Sequence, residues 1–261
     1  MNVVVAVLGL GEAGSRYAAD LLAAGVSVVG HDPVARPDLP GLRQAGDPAA
    51  AVRDAQYVLS LNAAHVARTV AADAAAGLRT DTVFADLNTS APRVKADVAE
   101  VVAPTGALFV DAAVLAPVPR AGLRTPLALA GPGRDRLGRF LAPLGVPVED
   151  AGERPGAAAA RKLLRSVFMK GLAAVVMEGL EMAALTDQEE WLRGQIVGEL
   201  TAADAALVDR LVDGTRRHAG RRLAEMRAAA DYAADVGAAH DVTRATIARL
   251  ERLVPHPEET P

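Results

Sequence analysis

Two of the three lysines in the chain occur eight residues apart in one apolar segment, with a serine midway between them. Lys162, Ser166 and Lys170 follow i, i+4, i+8 spacing, which predicts that they share one face of a helix. Of 28 basic residues only three are lysine, and lysine, unlike arginine, can release its proton near neutral pH. We therefore predict that Lys162 acts as a general acid/base.

The surroundings of Lys162 favour this role. Desolvation on a mostly apolar helix and the cations Arg161, Arg165 and Lys170 would all favour the neutral amine, which can accept a proton. The alternative is a lysine whose aliphatic stem lies along the helix border while its ammonium group reaches water. Spacing alone leaves both interpretations open.

A glycine motif follows the first apolar run of the chain. Val3–Leu8 is mostly β-branched, which predicts a strand buried on both faces. Glycines with GxGxxG spacing follow, a helical pattern covers Glu12–Ala24, and Val26–Val29 predicts the next strand. The unit ends at Asp32, an acid about 20 residues beyond the glycines. This context predicts a dinucleotide site rather than an ordinary glycine turn.

Each glycine of the motif has a physical role. Gly9 permits the tight turn, Gly11 lets a pyrophosphate approach the backbone, and Gly14 lets helix and strand pack closely. The N–H groups of the first helical turn can then bind phosphates. We predict that the cofactor is bound by the whole loop, namely Gly9, Leu10, Gly11, Glu12, Ala13 and Gly14.

Asp32 predicts which dinucleotide binds. Its carboxylate can accept hydrogen bonds from both hydroxyl groups of the adenosine ribose, whereas a 2′-phosphate would meet a like charge. The cofactor is therefore predicted to be NAD, with NADP disfavoured. Arg36 lies close enough in the sequence to weaken that preference.

Strand and helix patterns alternate after Asp32. The further predicted strands are Tyr57–Leu61, Thr82–Ala85, Leu108–Val114, Leu127–Ala130 and Val146–Val148. The predicted helices begin at Pro48, after a cap at Asn62, at Pro92 and at Arg134. This alternation predicts a mostly parallel sheet.

Ligands bind at the carboxyl ends of parallel strands. Residues that follow two of the predicted strands should therefore lie on the same rim as the glycine loop. We predict that Leu61, Asn62 and Thr89 contact the cofactor and that Asn88 contacts the substrate.

The pattern changes near Gly152–Gly156, beyond which no convincing strand occurs. Ala157–Leu185 predicts one long helix, Thr186 and Glu189 could form a capping box for the next, and further helices reach about Leu253. The sequence thus predicts an α/β domain at residues 1–153 and an all-α substrate and dimerisation domain at 154–261, joined by a long helix.

Composition excludes several classes of function. The 261-residue chain has a net charge of −4, which gives no reason to expect a nucleic-acid or membrane surface. It has no cysteine, so a disulfide framework and a thiolate metal site are impossible, and we expect no metal. No apolar run could span a bilayer, and the first strand begins too early for a signal peptide. A cytoplasmic enzyme is expected.

Three motifs resemble the β-hydroxyacid dehydrogenase superfamily, which includes 3-hydroxyisobutyrate dehydrogenases and enzymes similar to 6-phosphogluconate dehydrogenase. They are Gly9-Leu-Gly-Glu-Ala-Gly14, Asp86-Leu-Asn-Thr-Ser-Ala-Pro92, and the interval from Gly156 to Ser166, which places Lys162 at the position of the catalytic lysine. The resemblance covers nearly the whole chain. It implies a Rossmann domain, an all-α second domain, NAD(P) as hydride acceptor and a homodimer.

Two segments depart from the pattern of that superfamily. Arg165 and Ser166 occupy its paired asparagine positions, and Asp111–Pro117 replaces its substrate-binding segment DAPVSGG, with Leu115 at the serine. The Arg165-Ser166 pair, Glu12 in the glycine loop and Lys170-Gly171 resemble instead a branch with a distinct 6-phosphogluconate dehydrogenase-like C-terminal domain. In the loop that follows Asp111–Pro117, Arg120 and Arg124 are candidates to bind a substrate carboxylate. A surface loop without a binding role is the equal alternative.

The predicted reaction is hydride transfer between a nicotinamide cofactor and a small hydroxy acid, a carboxylate. Lys162 would take the hydroxyl proton during oxidation, and Asn88, Ser166 and Lys170 would contact the substrate. An imine reductase with the same architecture is one alternative. A catalytically silent dinucleotide-binding or sensor protein is the other.

Overall fold

The chain forms two compact units in the computed structural model, which describes residues 3–254. The division lies between Arg165 and Ser166. The first unit contains a sheet with helices on both faces, and the described part of the second is helical. The predicted fold class, an α/β domain followed by an all-α domain, is confirmed. The proposed functional boundary after residue 153 stays a prediction; the structural division falls inside the long helix.

The sheet of the first unit has eight strands in the order β3-β2-β1-β4-β5-β6-β7-β8. Every neighbouring pair is parallel except β6 and β7, which are antiparallel. The strands are β1 (Val4–Leu8), β2 (Ser27–His31), β3 (Arg43–Gln44), β4 (Tyr57–Ser60), β5 (Val83–Asp86), β6 (Leu108–Val114), β7 (Leu127–Ala130) and β8 (Val148–Asp150).

Six helices connect these strands, and a seventh leads into the second unit. They are α1 (Glu12–Ala23), α2 (Pro48–Val52), α3 (Ala67–Ala75), α4 (Pro92–Val102), α5 (Val118–Ala121), α6 (Arg134–Leu141) and α7 (Ala157–Ala184). The sequence predicts α4 from Pro92 to about Val102 and α6 over Arg134–Leu141, and the structure has these bounds at both ends. The last strand begins two residues later than predicted, at Val148.

Alternate residues of β1 enter two separate cores. Val5 and Val7 belong to the apolar cluster that includes Leu21 of α1 and residues of α6. Ala6 and Leu8 belong to the cluster on the opposite face, which includes residues of α2, α3 and α4. Because both faces are covered, the strands read as continuous apolar runs rather than alternating ones.

The described part of the second unit contains the rest of α7 and four more helices, α8 (Glu189–Thr201), α9 (Ala205–Arg217), α10 (Ala219–Asp235) and α11 (Asp241–Glu251). Glu178 of α7 accepts hydrogen bonds from the N–H groups of Val242 and Thr243, at 2.6 and 2.8 Å, and so caps α11. Burial opposes the charge of this carboxylate, but hydrogen bonds from Thr243 and Val242 outweigh it and lower the pKa of Glu178.

Two predicted helix caps are wrong. The Asn62 side chain donates to Ser60 Oγ at 2.8 Å, and the helical turn after it begins with Ala63 as its cap. The Thr186 hydroxyl donates back to the carbonyl of Ala183, because α7 ends there, and α8 has no side-chain cap. None of the helices in residues 3–254 combines the length and hydropathy needed to cross a membrane.

Candidate active site

The glycine loop between β1 and α1 has the geometry that its sequence predicts. Gly9 has a φ of +94°, and a Cβ atom on it would lie 2.3 Å from the Leu61 carbonyl oxygen. A Cβ atom on Gly14 would lie 1.8 Å from the Gly9 carbonyl oxygen. Around Gly11, by contrast, a Cβ atom would meet nothing within 4 Å. The two outer glycines are required by packing, and the middle one borders open space that a ligand can use.

Asp32 ties the end of β2 to the glycine loop. One oxygen of its carboxylate accepts from the Leu10 N–H at 2.8 Å, and the other accepts from the N–H groups of Val34 and Ala35 at 2.8 and 2.7 Å. Burial alone would raise the pKa of this carboxyl, but the three backbone hydrogen bonds and the nearby His31 outweigh it and lower the pKa of Asp32. Asp32 is therefore charged near neutral pH.

A cavity of about 280 Å³ opens beside the glycine loop, within the first unit. It brings together six of the residues predicted to bind or react, and we refer to it as the Lys162 cavity. Its lining residues are Ala13, Leu61, Asn62, Leu87, Asn88, Thr89, Val114, Ala116, Val118 and Lys162. The first helical turn after Gly11 and the second turn of α7 thus face one small space.

Lys162 reaches this cavity from α7. Its Nζ donates a hydrogen bond to Thr89 Oγ1 at 2.8 Å, and Thr89 belongs to the loop that follows β5. The side chain is half-buried. An amine in this position can exchange a proton with a hydroxyl group held in the cavity.

A polar network supports the floor of the Lys162 cavity. Asn88 Oδ1 accepts from the Asn62 N–H, and the side chains of Asn62 and Asn88 both point their amide groups at Ser60 Oγ, at 2.8 and 3.4 Å. Ser60 and Asn88 are buried. Because a side-chain amide has two N–H groups, Asn88 keeps one donor for a ligand.

The opposite wall of the cavity is apolar. Val114 of β6, Val118 of α5 and Ala116 between them line it. Ala116 lies in the segment where the sequence departs from the superfamily pattern. The polar side chains that line the cavity are those of Asn62, Asn88, Thr89 and Lys162.

Several predicted residues lie outside the Lys162 cavity. Arg120 and Arg124 line a separate cavity of about 560 Å³ together with Arg16 and Asp20. Glu12 is exposed in the first turn of α1. Ser166 and Lys170 belong to the second unit, and their roles stay predictions.

A buried charged cluster was not predicted from the sequence. Lys95 Nζ lies 3.4 Å from an oxygen of Asp86 and 3.6 Å from an oxygen of Asp111, and all three side chains are at most 1% exposed. Burial raises the pKa of Asp86 above its ordinary value, although the Lys95 ammonium opposes that shift. The sequence feature that could have revealed this cluster is Lys95 itself, because lysine is rare in this arginine-rich chain.

Comparison with protein families divides the chain into two matched regions. Residues 4–131 match the model described as the NAD binding domain of 6-phosphogluconate dehydrogenase, and residues 186–253 match a domain of unknown function, DUF1932. No curated protein matches the chain.

Solved structures resemble the chain over nearly its full length. A conserved hypothetical protein from Sinorhizobium meliloti 1021 is 30% identical, with 96% of this chain and 88% of that chain covered and a TM-score of 0.65. The conserved protein MTH1747, described as structurally similar to 3-hydroxyacid dehydrogenases, is 24% identical with 96% of both chains covered and a TM-score of 0.64. An imine reductase from Myxococcus stipitatus, solved with NAD+, is 14% identical with 97% and 94% coverage and a TM-score of 0.82; at that identity it shows a shared fold alone.

Proposed function

Because the chain belongs to the β-hydroxyacid dehydrogenase superfamily, in a 6-phosphogluconate dehydrogenase-like branch whose C-terminal domain is DUF1932, we propose that it is an NAD-dependent oxidoreductase acting on a small hydroxy acid. The observation that carries the proposal is the position of Lys162. Its amine donates to Thr89 in a small cavity that begins at the glycine loop.

The site fits a nicotinamide dinucleotide on observations of this chain. The space at Gly11 is open, and no side chain caps the first turn of α1, so the N–H groups there can bind a pyrophosphate. Asp32 keeps a negative charge where the adenosine ribose would lie, which favours NAD over NADP. A nicotinamide held there would supply the hydride acceptor or donor.

Lys162 would hold and move the proton that accompanies hydride transfer. During oxidation its neutral amine would accept the proton of the substrate hydroxyl, and during reduction its ammonium would return that proton. Thr89 fixes the direction of the amine, and Asn88 offers its remaining N–H to an oxygen of the substrate. We propose Ser166 and Lys170 as further contacts for a substrate carboxylate.

Replacing Lys162 tests this mechanism. Lys162→Ala should lower turnover by about 10²-fold or more, since general acid/base catalysis contributes that much, while NAD(H) affinity stays unchanged. Lys162→Arg is the matched variant, because it keeps the charge but cannot release a proton, and it should be as slow. Steady-state kinetics and calorimetric titration of NAD(H) measure the two effects. Full turnover in either variant would remove Lys162 from the mechanism.

Two other functions remain as alternatives. The first is imine reduction, which is favoured by the fold similarity to imine reductases; turnover of cyclic imines but not of hydroxy acids would support it. The second is a catalytically silent dinucleotide-binding or sensor protein, which would bind NAD tightly and turn over neither class of substrate. A parallel panel of hydroxy acids and cyclic imines separates the three outcomes.

We also propose that the protein is a cytoplasmic homodimer whose ligands are small molecules rather than nucleic acids or membranes. Support for the dimer comes from large apolar side chains that remain exposed on α7, α8 and α9. Phe168, Trp191 and Val208 are each more than 60% exposed in the single chain. Exposed apolar area of this kind is typical of protein interfaces.

A further inference from the structure

The buried cluster of Asp86, Lys95 and Asp111 has a place in the proposed reaction. We propose that Lys95 is a positioning residue for Lys162, because it bridges the two carboxylates that separately anchor Lys162 and Thr89. The inference rests on the proposed function in taking Lys162 as the group that moves the proton.

The two carboxylates are neighbours in the sheet. Asp86 and Asp111 are register partners in the parallel pair of β5 and β6. Phe84 and Phe109, two residues earlier in each strand, belong to the core on the α4 side of the sheet, so both aspartates point to that side as well. Two buried carboxylates side by side repel each other and require a cation.

Lys95 supplies that cation from the first turn of α4. Its Nζ lies 3.4 Å from Asp86 Oδ1 and 3.6 Å from Asp111 Oδ1, and it donates a hydrogen bond to the carbonyl of Asp86 at 2.6 Å. The side chain is 1% exposed, so water does not screen these contacts. Lys95 therefore joins the end of β5 to the middle of β6.

Each carboxylate also accepts hydrogen bonds from a segment next to one partner of the Lys162–Thr89 hydrogen bond. Asp86 accepts the N–H of Asn88 at 2.9 Å, which fixes the loop immediately before Thr89. Asp111 accepts the N–H groups of Gly156 and Ala159, at 3.0 Å each.

The bonds from Asp111 fix the start of α7. They place a negative charge at the positive end of that helix, where it is favourable. Lys162 is in the next turn, and its amine meets Thr89 at 2.8 Å. The distance between the amine and the Thr89 hydroxyl therefore depends on how Asp86 and Asp111 are held together.

Removing the ammonium leaves the two carboxylates without their bridge. The loop that contains Thr89 and the first turns of α7 are then no longer fixed to each other. We expect Lys162 to lose its hydrogen bond to Thr89 and to become more accessible. A lysine that only stabilised the fold would not act on Lys162 in this selective way.

Competitive amine labelling tests the inference, and the lysine content of the chain makes it tractable. The full-length protein is treated with limiting acetic anhydride, and acetylation of Lys162 and Lys170 is compared by peptide mass spectrometry. Lys95→Met should raise the labelling ratio of Lys162 to Lys170 by about three- to tenfold, the effect of losing one hydrogen bond. Lys170 serves as the reference within each molecule.

Two further variants keep the test decisive. Leu137→Ala removes a buried side chain on the opposite face of the sheet, so it loosens the same unit without touching the cluster and should leave the ratio unchanged. Lys95→Met combined with Asp86→Asn keeps the net charge of the cluster at −1, and it replaces the single variant if that one does not fold. A wild-type ratio in a folded protein that lacks Lys95 would overturn the inference.

Kinetics give a second readout once a substrate is known. Lys95→Met should lower kcat by about tenfold, which corresponds to one misplaced catalytic contact, without changing the Kd for NAD(H). When Lys162→Ala is already present, adding Lys95→Met should not lower kcat further, because Lys95 acts through Lys162. Absence of turnover in the wild-type protein would contradict the proposed function but not the labelling result, so the two failures are distinguishable.

Discussion

At the scale of single residues, the hydrogen bonds that Asp32 accepts compete for the same oxygen atoms with the ribose contact that we propose for it. A carboxylate offers about four lone-pair sites, and three backbone N–H groups, of Leu10, Val34 and Ala35, already occupy part of that capacity. Little remains for a ribose. Asp32 therefore shapes the loop, and we expect its charge rather than hydrogen bonds to a ribose to be the main source of the proposed NAD preference.

Asp32→Asn tests the role of this charge. The variant removes the charge that opposes a 2′-phosphate, so the ratio of the Kd for NADP+ to the Kd for NAD+ should fall by about tenfold, the equivalent of one moderate electrostatic contact. Fluorescence titration of both cofactors measures the ratio. An unchanged ratio would mean that other groups, such as Arg36, determine the preference.

The difference in stability between the wild-type protein and Asp32→Asn should depend on pH. Because the pKa of Asp32 is lowered in the folded protein, its charged form contributes stability that is present above the ordinary value of 3.8 and is lost as pH falls through the lowered pKa. The difference in melting temperature between wild type and Asp32→Asn should thus be largest above about pH 5 and shrink in acid. If the difference in melting temperature grew in acid, the pKa of Asp32 would be raised in the folded protein and not lowered.

The residue scale also shows where sequence interpretation stops. The pattern of glycines identified Gly9, Gly11 and Gly14, because their roles follow from local backbone geometry. The Lys95 cluster could not be found in that way. Its carboxylates become neighbours only through the register of β5 and β6, which local patterns do not specify.

At the scale of elements, the contact between β1 and α1 separates two kinds of glycine. Gly14 leaves no room for a side chain, since a Cβ atom would lie 1.8 Å from the Gly9 carbonyl oxygen. Gly11 borders open space, and its φ of −65° suits any residue. The fold needs Gly14, whereas the open space at Gly11 is where we propose that a ligand binds.

This difference gives a paired prediction. Gly14→Ala should destabilise the protein by about 1–3 kcal/mol or more, because α1 must move away from β1. Gly11→Ala should change stability by less than about 0.5 kcal/mol but weaken NAD binding by about tenfold, because its methyl group occupies the approach of the pyrophosphate. Thermal unfolding and cofactor titration measure both. Gly194→Ala, in open space on α8, is the control; equal binding by Gly11→Ala and wild type would contradict the assignment.

Elements were predictable where periodicity defined them and less so at their junctions. The bounds of β6, α4 and α6 followed from apolar runs and a proline at a first turn. The prediction of a cap at Thr186 failed because the turn after α7 contains a left-handed residue, Asp187 at φ +55°, and the N–H of Gln188 donates back to the carbonyl of Ala183. The end of one helix therefore uses the groups that were expected to begin the next.

At the scale of the whole molecule, α7 exposes more apolar surface than a single chain should leave in water. Leu164, Val167 and Phe168 are 72, 75 and 65% exposed, and their i, i+3, i+4 spacing places them on one face. A helix that is apolar on its outer face is normally covered. A second copy of the chain is the occupant that we propose.

Phe168→Glu tests the proposed dimer. The wild-type protein should have twice the chain mass of 26.9 kDa in solution, and a charge on this face should shift it to a monomer because the carboxylate would be buried without a partner. Light scattering after gel filtration measures the mass. Arg217→Glu changes charge at an exposed polar position of α9 and should leave the dimer intact. A wild-type monomer would refute the proposal.

The hydrogen bonds that the N–H groups of Gly156 and Ala159 donate to Asp111 also affect how the chain folds during synthesis. The sheet is complete at Asp150, but the carboxylate of Asp111 keeps an unmet acceptor until the first turn of α7 has formed. A nascent chain that has emerged from the ribosome only as far as β8 therefore has all of its strands but lacks the hydrogen-bond donors for the buried carboxylate of Asp111. The hydrogen bonding inside the α/β unit is completed only by the N–H groups of Gly156 and Ala159, which lie at the start of α7 and are synthesised after the sheet.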